Sequence, residues 1–407
     1  MLGYLAAQTG AYVTFIPLLT LLLPLKAEAI AGSDKTLLLS QAAMIGGLVA
    51  AVANIAAGVL SDRTTGRMGR RRPWILGGLA MTAAALAAIA GASSPLALIL
   101  SLSAFQVAVN ALYGPLCALV PDLVPDDQKG LASAFASVAL PLANLFTAVV
   151  VARWAGSEGL AFAAVAITAA ALILPLALRL SEPETTGRPA RLRFSLGAFR
   201  SPPYALAFVS RLFAETGVAV HTLYLLFLIQ ALPRAAAPAG WTAVEIFSLL
   251  MVTSTVSATA GALGAGALSD RVGRRAPFVI GGAVGMGAAL AALVVLPRWP
   301  APLLAQGLFG LCHGVHAATV AALTAEILPE PAHAGRDLGV MNVAIAMPQS
   351  LAPAAAAGLF VLGADLPIVF LASAVALGVA GLLLTPLTAL SPRGRCRPRP
   401  SGRSRAR

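Results

Sequence analysis

Charge is the first thing this chain lacks. Asp, Glu, Lys and Arg make up 11% of its 407 residues, against about 25% in a soluble globular domain, which excludes an ordinary soluble enzyme. Cysteine is scarce too. Cys117, Cys312 and Cys396 lie far apart, with no C-x-x-C and no zinc-type spacing, so neither a disulfide framework nor a metal cluster is expected. The four histidines, His221, His313, His316 and His333, form no H-E-x-x-H. No cofactor is expected either. What is abundant is apolar: 58% of the residues are hydrophobic and the mean hydropathy is +0.86. A net charge of +12 would suggest nucleic acid in a soluble protein. Here the long apolar runs point to lipid, and nucleic acid is not an expected partner.

An apolar helix needs about 20 residues to cross a hydrocarbon core of roughly 30 Å. Cutting the sequence at charges and turn residues gives spans at 2–24, 37–60, 74–92, 96–120, 131–152, 159–178, 204–230, 244–268, 277–296, 301–326, 338–362 and 367–388. That makes twelve, an all-α polytopic membrane protein. The boundary between the third and fourth spans is the weakest, resting on Gly91, Ser93, Ser94 and Pro95. No cleavable signal is apparent, and the missing hydrophilic leader before the first span points to a shortened start. Basic residues fix the orientation, because cytoplasmic loops keep them. The even-to-odd connections and the tail hold 22 of the 28 Lys and Arg, and the other side holds five. Both termini are therefore expected in the cytoplasm, at the cytoplasmic membrane.

The second half repeats the first. Gly58-Val-Leu-Ser-Asp62-Arg63 recurs as Gly266-Ala-Leu-Ser-Asp270-Arg271, 208 residues later. Each copy runs on into Gly-Arg-Arg and a proline, at Gly69-Arg70-Arg71-Arg72-Pro73 and Gly273-Arg274-Arg275-Ala276-Pro277. Gly77-Gly78 and Gly281-Gly282 follow, and Val120-Pro121-Asp122 returns as Leu328-Pro329-Glu330. Two six-helix bundles are the simplest account, at 1–178 and 204–388, with a cytoplasmic linker at 179–203 and a basic tail at 389–407. The tail's seven arginines, from Arg393 to Arg407, suit anionic lipid.

This doubled loop signature resembles the major facilitator superfamily of secondary transporters across essentially the whole chain. The long first loop from Ser61 to Pro73, the run Leu338-Gly339-Val340-Met341-Asn342 and Pro348-Gln349 look like the branch of glycoside and sucrose cation symporters. The resemblance implies alternating access, with the two loops acting as a cytoplasmic gate built from Gly58, Asp62, Arg63, Gly69, Arg70, Arg71, Gly266, Asp270, Arg271, Gly273 and Arg274. The plain alternative is a pair of positive hairpins that only fix topology. Topology needs charge, however, and does not need a repeated Gly and Asp. Gly58 and Gly266 are expected to permit close helix approach. Asp62 and Asp270 are placed to pair with arginines or to cap a helix N-terminus.

Polar residues inside a bilayer are costly and usually face a cavity or a partner. Tyr4, Gln8 and Tyr12 recur every four residues on the first span, which puts them on one face. Gln106, Asn110, Tyr113 and Cys117 form a second stripe on the fourth span. The seventh span carries Arg211 and Glu215 one turn apart, with His221, Thr222 and Tyr224 beyond. The tenth carries His313 and His316, expected to face together. Stripes on spans 1, 4, 7 and 10, one per three-helix repeat, match the cavity-lining helices of the family that the chain resembles. The candidate cavity is Tyr4, Gln8, Tyr12, Gln106, Asn110, Tyr113, Arg211, Tyr224, His313 and His316. Arg211 and Glu215 read equally as a structural ion pair or as a proton switch with His316, in which protonation of Glu215 frees Arg211. No aspartate lies within a span, so a hard-oxygen sodium cage has few anionic donors. Proton coupling or uncoupled facilitation is favoured over another coupling cation.

The expected function is secondary transport of a small organic solute, a sugar or glycoside among the options, by a monomer. A drug or metabolite exporter of the same fold is the near alternative. A polytopic enzyme is the alternative of another class, resting on Pro121-Asp122-Leu-Val-Pro-Asp126-Asp127, which has the look of a magnesium-binding prenyltransferase motif. Only one copy exists, where a diphosphate site needs two facing acid clusters. A sensor or scaffold lacks any attached signalling domain.

Overall fold

A computed structural model describes residues 1–180, 182, 197–329 and 334–389. The tail arginines, most of the expected linker, His333 and Glu330 lie outside the described residues. Among the described residues the chain forms helices and turns, with no strand.

Eleven segments are long and apolar enough to cross a bilayer, and the first, Leu2–Arg63, is 62 residues long. As one straight helix it would reach about 93 Å, three times a hydrocarbon core. The chain turns instead at Gly32, whose φ of 54° suits a residue without a Cβ, and at the short turn Gly32–Asp34. That segment therefore makes two crossings, and the total is twelve.

Helix α1 runs through Leu2–Pro17, a π turn at Leu18–Leu22 and Leu23–Ala31. The irregular turn follows Pro17, which cannot donate a backbone hydrogen bond. The first half continues with α2 Lys35–Arg63, α3 Arg72–Ala90, α4 Pro95–Leu123, α5 Lys129–Val149 and α6 Glu158–Arg179. The second half has α7 Pro202–Ala231, α8 Ala243–Val272, α9 Ala276–Val295 and α10 Ala301–Ile327. It ends with α11, in pieces Ala334–Ala346 and Pro348–Val361, and α12 Leu366–Leu383.

Local chemistry explains several ends. Ser94 and Asp365 accept the backbone N–H groups of Ala97 and Ile368 at the starts of α4 and α12. Thr242 and Glu245 form a reciprocal capping box on α8. Gly273 closes α8 with φ at 68°, in the left-handed region where glycine is favoured. Hydroxyls inside the helices, such as Thr9, Ser101 and Thr253, bond the carbonyl four residues back, so they need no outside partner.

The two halves pack alike. In the first, α1 lies against α5 and α6, α4 against α2 and α3, and α3 against α6. In the second, α7 lies against α11 and α12, α10 against α8 and α9, and α9 against α12. Adding six to each helix number converts one set into the other. The bundles meet through α2 with α11 and α5 with α8, again a symmetric pair.

Two of the repeated glycines are at close approaches. A Cβ on Gly78 would strike the backbone of Leu112 at 2.6 Å, and one on Gly282 would meet the carbonyl of Cys312 and the Cβ of His316 at 2.9 Å. Both positions let neighbouring helices touch. Gly58 and Gly266 do not behave as the sequence reading expects: a Cβ on either meets nothing within 4 Å. They lie at the signature-loop ends of α2 and α8, where neither glycine touches a neighbouring helix. Between α8 and α10 the contact is made through Gly261, Gly310 and Gly314, whose missing Cβ atoms leave room for the backbones of Leu311, Ser254 and Ala258.

Candidate functional site

Three polar regions stand out, at the signature loops, at mid-depth and at the opposite end of the molecule.

At the signature end of the first bundle, Arg71 is 5% exposed and is the hub. Its guanidinium pairs with Asp62 at 2.6 Å and Asp122 at 3.0 Å, and donates to the Ser61 hydroxyl at 2.6 Å. Arg70 also pairs with Asp122, at 2.7 Å. These contacts tie α2, α3 and α4 together. They also commit Asp122, the leading acid of the prenyltransferase-like fragment, to two arginines. In the second bundle, Arg275 pairs with Asp270 at 3.2 Å and Glu326 at 3.0 Å, joining α8, α9 and α10. Arg275, rather than Arg274, is thus the counterpart of Arg71. Arg274 donates instead to the Thr388 carbonyl at 2.6 Å. Arg63 and Arg271 are exposed.

The sequence reading missed Glu182, just beyond α6. Its carboxylate accepts the backbone N–H groups of Arg70, Arg71 and Arg72 at 2.7 to 3.0 Å. These are orphan donors at the start of α3, where the helix dipole also favours an anion. Gly69 makes the approach possible, having φ at 80° and no Cβ to strike Glu182. Asp62 and Asp270 therefore pair with arginines, while the capping role falls to an acid more than a hundred residues away.

At mid-depth the stripes of α1 and α4 meet. Gln8 donates to the Tyr4 hydroxyl at 2.6 Å and to the Cys117 sulfur at 3.5 Å. The Tyr12 and Tyr113 hydroxyls lie 3.1 Å apart, their rings edge to face. Asn110 bonds the Gln106 carbonyl at 2.8 Å and accepts from Asn54 of α2 at 3.1 Å, a partner that the stripes did not include. Gln106 itself lies beside Gly46 of α2.

In the second bundle Arg211 and Glu215 stand 3.6 Å apart. His221 bonds Gln306 of α10, a second missed residue, and stacks on Phe309 with ring centroids 3.9 Å apart. Phe309 in turn lies parallel to His313 at 6.1 Å. His316 departs from the expectation that the two α10 histidines face together. It turns into the groove with α9, its Nδ1 bonded to the Val279 carbonyl at 3.2 Å in the space that Gly282 leaves. Tyr12, Tyr113, Arg211 and His316 each sit about ten residues from the signature end of their helices. At 1.5 Å per residue that is about 15 Å, near the middle of a roughly 30 Å core.

Tyr224 is not among them. It is fully buried far along α7, and its hydroxyl lies 2.6 Å from that of Ser40 on α2. Beside it Lys35 bonds Glu28 and Gln230, Gln230 also bonds Glu28, and the Lys35 ammonium sits 4.7 Å from the Phe227 ring centroid. These contacts join the bundles at the end away from the signature loops. The arginine pairs at the signature end each lie within one bundle.

Two pseudo-symmetric six-helix bundles, locked together at one end around a polar midplane, define a secondary transporter. The family model of the Major Facilitator Superfamily matches residues 1–243 and 229–406, and the chain belongs to that family. Among solved structures, it is similar to the peptide transporter POT in complex with sulfate, at 14% identity and a TM-score of 0.72, covering 95% of this chain and 93% of that one. A POT family transporter in complex with 5-aminolevulinic acid is 13% identical with a TM-score of 0.71, covering 95% of each chain. A mutant of the nucleoside transporter NupG is 13% identical with a TM-score of 0.74, covering 95% of this chain and 99% of that one. At these identities the likeness is one of fold. No curated protein matches the chain.

Proposed function

We propose that the protein carries a small hydroxyl-rich organic solute, a sugar or glycoside, across the cytoplasmic membrane by alternating access coupled to protons. The observation that carries this reading is the shared depth of Tyr12, Tyr113, Arg211 and His316. One neutral stripe and one ionisable group thus stand at the height where a carrier holds its cargo. Hydroxyl and amide side chains on α1 and α4 suit sugar hydroxyls, offering both donors and acceptors. Glu215 supplies the proton site and Arg211 the charge that responds to it. The arginine-rich end faces the cytoplasm, because positive loops are retained there. The lock of Lys35, Ser40, Tyr224 and Gln230 then closes the outer side, and the conformation is inward-facing. The protein works as a monomer, each bundle moving against the other around the midplane.

The test is flux in liposomes. Purified protein should move radiolabelled sugars or glycosides without altering them, faster when a pH gradient is imposed. Glu215→Gln should leave counterflow in place but remove the response to the gradient. Transport still driven by the gradient in Glu215→Gln would exclude Glu215 as the proton site.

A further inference from the structure

Two buried polar atoms at mid-depth are left over by the protein's own contacts. The Nε of Arg211 makes no hydrogen bond; the Glu215 carboxylate stands 3.6 Å from it, beyond hydrogen-bonding reach. The Nε2 of His316 is likewise without a partner, on a side chain that is 4% exposed.

The two atoms have opposite needs. Arg211 Nε is a donor on a fixed cation, and its best partner is an anionic oxygen. His316 Nδ1 faces the Val279 carbonyl, which can only accept, so Nδ1 carries the ring hydrogen. In the neutral ring Nε2 is then an acceptor and calls for an O–H. The two residues stand at the same depth on α7 and α10, close enough for their charges to interact. Facing them from the first bundle are neutral side chains, with Tyr12 and Tyr113 at that depth. Buried polar atoms are rarely left empty without a purpose, because an unmade hydrogen bond is costly.

We propose that the cargo is a hydroxylated carboxylate, its carboxylate on Arg211 and a hydroxyl on His316, with further hydroxyls on the tyrosines of α1 and α4. This deepens the transport reading above and rests on it. It also assigns separate tasks to the bundles: the second reads the charge and the first reads the neutral body.

Binding to the purified full-length protein, measured calorimetrically, separates the possibilities. The probes are D-gluconate, D-glucose and acetate. Gluconate should bind at least about tenfold tighter than glucose, the size of effect that a charge-assisted hydrogen bond carries. Acetate, with the charge but no hydroxyls, should bind more weakly than gluconate. Arg211→Gln should erase the preference for gluconate over glucose, while Arg211→Lys, which keeps the charge and guards against a folding defect, should keep part of it. Glu215→Gln removes a competing carboxylate and should tighten gluconate; a purely structural ion pair would lose binding in both variants. Equal binding of gluconate and glucose, or gluconate binding unchanged by Arg211→Gln, overturns the proposal. Failure of gluconate to bind while liposomes transport glucose overturns it and leaves the transport reading intact. Failure of every solute to move in liposomes overturns the reading on which it rests.

Discussion

Replacing Glu182 with glutamine should loosen the start of α3 in a way that can be read amide by amide. The carboxylate receives three consecutive backbone N–H groups, from Arg70, Arg71 and Arg72. A glutamine keeps one acceptor oxygen and loses the charge. Hydrogen bonds to a charged partner contribute about 1.5 to 3 kcal/mol, and an anion at a helix N-terminus adds about 0.3 to 1 kcal/mol. Losing one such bond and the charge therefore costs about 2 to 4 kcal/mol locally, reduced in part because Glu182 is half-buried and water can replace it. At 1.4 kcal/mol per factor of ten, exchange of those amides should speed up about 30-fold or more. The assay is hydrogen exchange with mass spectrometry on lipid-embedded protein, following the peptide over residues 68–75. The pseudo-repeat peptide over 272–279 is an internal control and should not change. Glu182→Asp should fall between wild type and Glu182→Gln. Unchanged exchange at 68–75 in Glu182→Gln would refute the claim that this carboxylate holds the loop.

Two further outcomes follow from the same geometry. Tyr224→Phe removes the buried 2.6 Å contact with Ser40; a loss of about 1 kcal/mol should depopulate the conformation closed at that end about fivefold, and labelling of Cys117 by an impermeant maleimide from the arginine-rich side should slow accordingly. Asp62→Asn breaks a pair whose acid is 43% exposed, so it should change stability by no more than about 1 kcal/mol and leave membrane abundance near normal while slowing uptake in vesicles; an unchanged rate would count against a gating role.

The fold was legible because its signals are local and repeated. Twelve apolar runs, a doubled loop motif and one-sided arginines each survive reading without contacts. The α1 and α4 stripes were legible for the same reason, since a spacing of four residues places Tyr4, Gln8 and Tyr12 on one face whatever surrounds them. Contacts across the chain were not. Glu182 reaches the first loop from 110 residues away, and Ser40 meets Tyr224 across 184. His316 illustrates the limit of periodicity: three residues from His313, it sits on an adjacent face, and only the opening at Gly282 decides that it packs against α9. Gly58 and Gly266 show the converse, in that repetition marks a position without saying what, if anything, touches it in one conformation.

The central claim is that the two bundles must separate where they are now joined. Lys35 and Gln230 touch across that seam at 2.6 Å. Both can be replaced by cysteine in a background where Cys117, Cys312 and Cys396 are serine, then bridged with a short, reducible bifunctional thiol reagent. If the protein works by alternating access, bridging should bring solute flux in liposomes to background, and reduction should restore it. Full-rate flux through fully bridged protein would contradict the account.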